Sequence, residues 1–274
     1  MRYLRRRLAL VAGMMIAAVT GVAHAQQAAD QRGTVRIGYD YSTGKFGTDF
    51  RATTQTTKLA AAMFAGDWTL DINVPYLRRD VENAVGARGN RVVRGILISS
   101  IGRVPRGGRI THDINEGFGD ATTTASRYFY GEGAESIVWE LGGTIKWNSG
   151  DANKNLGSGQ RDYSLLAGGF KKAGAWNLGA SLTYTFIGES ADSPVNDVWG
   201  TSFDATYRIG DAWRIGTSFA WEQSAVAGGQ APRTATSFIA YRFHPAARLQ
   251  LSVNRGLSDA SPLWGAGASL IVNY

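Results

Sequence analysis

The chain has 274 residues, a formal net charge of +7 and no cysteine, so a disulfide framework and any Cys-based metal site are excluded. Glycine supplies 35 residues and proline only six; the glycine is nearly twice the usual ~7% yet not periodic, which rules out collagen-like and Pro-rich disordered chains. After the N-terminal segment no apolar run is long enough for a membrane helix, leaving a soluble β-protein or a β-barrel that hides its hydrophobicity in alternation.

The first element is a leader. Arg2, Arg5, Arg6 and Arg7 precede the apolar run Leu8 to Val22, and Ala23-His24-Ala25 is a small-residue cleavage site. Residues 1–25 are expected to be a signal peptide and residues 26–274 one folded domain. A membrane anchor is the competing reading, disfavoured because the run is short of the roughly 20 residues that span a bilayer. The leader holds four Arg and no carboxylate, so the charge of +7 falls to +3 without it. The high pI is thus partly the leader's, and no nucleic-acid partner is expected.

Beyond the leader, twelve strands are predicted near 33–46, 56–66, 68–81, 118–131, 135–149, 161–173, 176–189, 197–210, 213–224, 233–243, 247–257 and 262–274. The alternation is plainest in the seventh, where Trp176, Leu178, Ala180, Leu182, Tyr184 and Phe186 oppose Asn177, Gly179, Ser181, Thr183 and Thr185. A period of two reads as a strand with one apolar and one wet face. The segments near 56–66, 118–131 and 161–173 alternate poorly, which leaves their facing open. The apolar patch Gly95 to Ile101 offers a further hairpin, which would raise the strand number to fourteen.

Three features put lipid on the apolar faces. The pairs Trp68/Tyr76, Trp139/Trp147, Trp176/Tyr184 and Trp213/Trp221 are each eight residues apart. That is about 27 Å along a strand, or roughly 20 Å once tilted by about 40°, close to the ~25 Å band between aromatic girdles. The connections alternate: those at 66–67, 131–134, 174–175, 210–212 and 244–246 are tight, and those at 47–55, 82–117, 150–160, 190–196, 225–232 and 258–261 are mostly longer. Short turns on one side and long loops on the other suit an up-and-down barrel with both termini in the periplasm. Finally, Trp264, Ala266, Ala268, Leu270, Val272 and Tyr274 alternate up to a terminal aromatic, the kind of closing strand read by the barrel-assembly machinery. The expected fold is an all-β transmembrane antiparallel barrel in the outer membrane, with a girdle including Trp68, Trp139, Trp147, Trp176, Trp213, Trp221 and Trp264.

Gly117-Phe-Gly-Asp-Ala121, Leu156-Gly-Ser-Gly-Gln-Arg-Asp-Tyr-Ser-Leu165, Gly256-Leu-Ser-Asp-Ala-Ser-Pro-Leu-Trp-Gly265 and Val74-Pro75-Tyr76-Leu77 resemble signatures of the "MetA-pathway of phenol degradation" outer-membrane family. The resemblance spans most of the chain after the leader. It implies an outer-membrane barrel transporting hydrophobic or aromatic compounds, and it supplies no catalytic residue. Two stretches depart from the pattern: Thr122 to Ser126 is more polar, and the 82–117 loop is richer in Arg.

The wet faces carry Arg36, Asp40, Asp71, Glu140, Lys146, Asp204, Arg208, Arg214, Glu222, Arg242 and Arg248. A basic group facing lipid at the midplane costs about 2–4 kcal/mol, so these side chains are expected to line the lumen. They could fill a small barrel with salt bridges or select solutes in a narrow pore. Between Asn83 and His112 stand Arg88, Arg91, Arg94, Arg103, Arg106 and Arg109 with no carboxylate. That basic loop could bind lipopolysaccharide phosphates, fold inward as an anion-favouring constriction, or simply be a solvated surface loop.

An enzyme has thin support. Only His112 and His244 remain after the leader, and a catalytic base must lie within hydrogen-bond reach of its nucleophile. His112-Asp113 near Ser99, Ser100 or Thr111 is the one candidate, and His244 beside Pro245 reads as structural. Gly86-Ala-Arg-Gly and Gly265-Ala-Gly lack the strand–loop–helix setting of a phosphate loop. The expectation is a passive, non-enzymatic channel for small solutes, aromatic or hydrophobic ones among them, without cofactor or metal. Its partners would be outer-membrane lipid, lipopolysaccharide and, during biogenesis, the assembly machinery. A closed structural barrel acting through its basic loop is the runner-up, and an outer-membrane hydrolase comes third.

Overall fold

A computed structural model describes residues 32–46, 50–85, 92–93, 109–133, 136–188 and 195–274. In chain order the strands are β1 (Gly33–Gly44), β2 (Ala52–Ala65), β3 (Trp68–Val85), β4 (Val92–Val93), β5 (Arg109–Phe118), β6 (Thr122–Tyr130) and β7 (Ile137–Lys146). They continue as β8 (Asp162–Ala173), β9 (Trp176–Phe186), β10 (Val198–Ile209), β11 (Trp213–Glu222), β12 (Arg233–His244), β13 (Ala247–Gly256) and β14 (Trp264–Asn273). All pairings are antiparallel, and β1 pairs with both β2 and β14, so the sheet closes on itself.

β5 and β6 descend along the same edge of β3. Tyr76 faces Phe118 and Asn73 faces Thr122, so Gly119-Asp120-Ala121 oppose only two residues of β3. One extra residue makes this a bulge within a single long strand. Counting β5 and β6 as one wall strand, and setting aside β4, which pairs only with Ala84 and Val85, gives a barrel of twelve strands. The strand predicted at 118–131 therefore starts at Arg109, and part of the predicted 82–117 loop is a two-stranded arm in which Leu77 to Val85 pairs with Arg109 to Gly117. The fourteen-stranded alternative fails, because the arm prolongs strands already in the wall and β7 pairs with β6 rather than β5. The leader and the Gly95 to Ile101 patch lie outside the described residues.

Tight turns and long connections alternate around the barrel. Gly66 and Gly174 each take φ +60° at the first central position of a two-residue turn, and the following Asp67 and Ala175 do not have positive φ. That is the II′ pattern, whose twist matches the flanking strands and which wants glycine first. The chain enters β1 at the tight-turn end and returns there: the carbonyl of Tyr274 accepts from the N–H groups of Arg32 at 2.7 Å and Gly33 at 3.1 Å.

The barrel is inside-out. Among the described residues ten apolar side chains are buried against fifteen polar or charged ones. Ile37, Leu59, Leu141, Leu165, Leu182, Phe203, Leu251 and Leu270 are exposed on the outer face. An apolar belt around the whole molecule far exceeds the few hundred Å² that soluble monomers leave uncovered, so its solvent is lipid. The strands of unclear phase fall into line: Leu59 and Met63 point out on β2, Phe129 on β6, and Tyr163 and Leu165 on β8. Their alternation was blurred because inner positions also hold apolar residues, namely Ala62, Tyr128 and Phe170, all buried.

Closure rests on the last strand, since Val272 pairs with both Val35 of β1 and Ala247 of β13. Deleting Val272 to Tyr274 is expected to reduce the folded, heat-modifiable band in isolated outer membranes. An undiminished band would show that these three residues contribute little to closing the barrel.

Candidate functional site

The alternation turns the wet faces inward and so builds a lumen. Arg36 and Asp40 flank the outward Ile37 and Tyr39 on β1, Asp71 lies beside Ile72 on β3, and Glu140 lies between Trp139 and Leu141 on β7. Asp204 and Arg208 on β10, Arg214 and Glu222 on β11, Arg242 on β12 and Arg248 on β13 alternate in the same way with the outward Phe203, Trp213, Tyr241 and Leu249. Lys146 closes β7 on its inner side.

These charges fall into separate groups. Asp40 pairs with Lys58 at 2.6 Å, and Glu140 accepts the Tyr128 hydroxyl at 3.0 Å while buried. Asp204 accepts from Ser202 Oγ at 3.4 Å. Hydroxyls bridge neighbouring strands around the wall, with Thr124 to Thr144, Ser164 to Thr185 and Ser181 to Ser202 each at 2.8 Å. Such cross-strand pairs contribute about 0.2–1 kcal/mol each.

Inward glycines decide how far the side chains reach into the lumen. A Cβ on Gly216 would lie 2.5 Å from ring carbons of Phe238, and one on Gly142 would lie 2.6 Å from Ser126 Oγ. The same place on Gly267 is taken by the Asp40 carboxylate. Each glycine thus lets a neighbouring side chain lie flat along the wall instead of projecting across the barrel.

At the long-loop end the connection between β7 and β8 folds onto the inner wall. The bulge aims Asp120 at it: its carboxylate accepts the N–H of Gly150 at 2.9 Å and that of Ser158 at 2.9 Å. Lys146 Nζ sits 2.6 Å from Asp162, 3.5 Å from Asp120 and 2.6 Å from Ser158 Oγ. Arg79 Nη1 donates to the carbonyl of Asn155 at 2.6 Å, and Leu156 is buried. Between them, Asp151 caps a short 3-10 turn (Ala152–Lys154). Asp120, Ser158, Asp162 and Arg79 were not singled out as site residues by charge and alternation. Three of them lie within the quoted motifs Gly117 to Ala121 and Leu156 to Leu165, which was the available signal.

Outside, aromatics gather at both rims. At the tight-turn end stand Trp68 and Trp139, with Trp176 4.8 Å from Tyr207 and Trp213 4.5 Å from Tyr241. At the other end, Tyr76 lies 5.5 Å from Phe118, Tyr184 4.7 Å from Trp199 and Tyr41 5.3 Å from Trp264. Trp147 and Trp221 belong to that rim; Trp147 donates to Thr123 Oγ1 at 2.9 Å. Trp199 and Tyr207 were not picked out as rim aromatics from the sequence.

The remaining candidates stay apart. Arg88, Arg91, Arg94, Arg103 and Arg106, like Ser99 and Ser100, lie outside the described residues, and Arg109 opens β5 opposite Val85. His112 Nδ1 is 2.8 Å from Asp80 on the outer face of the arm, whereas Asp113 points the other way and accepts from Asn115 at 3.3 Å. His244 accepts the N–H of Ala246 at 3.2 Å inside its turn. Among the described residues no group of His, Asp and Glu is placed to hold a metal.

Solved structures share this architecture. The COG4313 outer membrane channel from Pseudomonas putida F1 is similar at 15% identity and a TM-score of 0.61, over 91% of this chain and 100% of that one. The transport unit of the autotransporter AIDA-I from Escherichia coli (11% identity, TM-score 0.52, 99% of each chain) and the NanC porin (9% identity, TM-score 0.52, 88% of this chain and 98% of that one) share the fold too. No curated protein matches the sequence. The sequence profile of one family does match, over residues 25–274. With nearly the whole chain covered, this outer-membrane barrel belongs to the family described as "Putative MetA-pathway of phenol degradation".

Proposed function

We propose that the barrel is a passive, non-enzymatic channel for small solutes, among them hydroxylated aromatics of the phenol class to which the family description points. The observation that carries the proposal is the flattened polar wall, with Phe238 lying over Gly216 and Asp40 over Gly267. About eight strands make a barrel that side chains just fill, and 16–18 leave an open aqueous channel. A barrel of twelve lies between them, where side chains held against the wall decide whether a path remains. Seryl and threonyl hydroxyls along that path suit a solute with a polar group better than a purely aliphatic one.

In this reading residues 26–274 act as one domain, with the tight turns and both chain ends facing the periplasm. The rim aromatics sit at the two lipid interfaces, lipopolysaccharide meets the long-loop end, and Tyr274 is read by the assembly machinery. The in-folded connection held by Asp120 would form the narrow part of the path. Proteoliposome swelling tests the proposal: swelling rates that fall with solute size support it, and liposomes that stay osmotically tight for every solute contradict it.

A further inference from the structure

Near the tight-turn end the inner wall carries an arc of arginines. Arg208 is the register partner of Arg214 across β10 and β11, and Arg242 that of Arg248 across β12 and β13. Arg214 lies opposite Ala240, two residues from Arg242, which joins the two pairs. Arg248 and Arg36 flank Ile271 from either side. Five guanidinium groups thus follow one another around nearly half of the barrel.

Arg214 and Arg248 have like charges for neighbours. The charges acting on Arg214 are Arg242 and Arg208, and those acting on Arg248 are Arg214 and Arg36. Arg36 has the carboxylates Asp71 and Asp40 nearby, and Asp40 is already paired with Lys58. Among the described residues no ion pair within 4.0 Å involves any of the five. Like charges directly opposite on paired strands are destabilising. Filling the barrel does not require such an arrangement; an oxyanion would relieve it, since guanidinium forks bind carboxylate and phosphate two bonds at a time.

We propose that this arc is an oxyanion-binding site, which takes the carboxylate or phosphate of a small solute at the tight-turn end of the lumen. The proposal deepens the channel reading, because it rests on solute reaching that end. There the basic arc would concentrate anions and give the path its charge preference.

Equilibrium dialysis of the refolded protein in detergent against radiolabelled benzoate, and separately inorganic phosphate, tests it without requiring conduction. Saturable binding that weakens with added sodium chloride is expected for at least one anion, and phenol should not displace it. Competition between the anions sorts the source: benzoate alone marks a carboxylate solute, and displacement by phosphate marks an oxyanion site of wider range. Arg214→Gln with Arg248→Gln should weaken binding at least tenfold. The matching pair of Lys substitutions, which keeps the charge but loses the fork, should fall between. Heat-modifiability checks that each variant folds, and the Lys pair keeps the test readable if the Gln pair does not. No saturable binding of either anion, or equal binding by the folded Gln variant, overturns the site. A barrel that binds benzoate yet never conducts would remove the channel reading and leave the site; conduction without binding would do the reverse.

Discussion

Lys146→Met should cost about 3–5 kcal/mol of stability, because it leaves buried carboxylates without their cation. The side chains of Asp162 and Asp120 are 1% and 9% exposed, and Lys146 lies 2.6 Å and 3.5 Å from them. Loss of the ammonium also removes one of the bonds to Ser158 in the connection tied back by Asp120. Adding Asp162→Asn to Lys146→Met should recover part of the loss, since replacing both partners is far milder than removing one. Urea titration of the protein in bilayers measures both variants. A loss below about 1 kcal/mol for Lys146→Met would mean that water reaches the pair and that the connection is not anchored there.

Leu182→Arg should destabilise by about 2–4 kcal/mol, as expected of a cation placed in lipid near the midplane. Leu182 is exposed on the outer face in the middle of β9, between Ser181 and Thr183, which face inward. Ser181→Arg on the next residue should be much milder. Its register partner Gly168 leaves space on the inner wall, and the guanidinium would remain among polar groups. The same titration compares the two, and equal losses would place lipid and lumen on the wrong faces.

The fold was legible wherever one face was apolar and the other wet. β9 and β14 could be phased from sequence because a tryptophan opens one apolar row and glycine, serine, threonine or asparagine takes most of the other. β2, β6 and β8 could not, since an inner wall that packs Ala62, Tyr128 and Phe170 looks like an outer one to a rule of alternation. The β3–β5 arm was hidden for another reason. Beyond the lipid its strands need no apolar face, so the stretch after Val81 reads as a loop. Inward charges were legible from cost alone, because a strand in lipid leaves them one side to face. Their grouping was not, as Arg208, Arg214, Arg242 and Arg248 come together only through the registers of four strands. The role of Asp120 was equally hidden, since it depends on a one-residue bulge that shifts the pairing against β3.

Planar-bilayer recording of the refolded, heat-modifiable protein tests the central claim most directly. A passive channel predicts discrete conductance steps as single barrels insert, present at both polarities. Bilayers that stay sealed at every voltage, with folded barrel shown to be in the membrane, would contradict it.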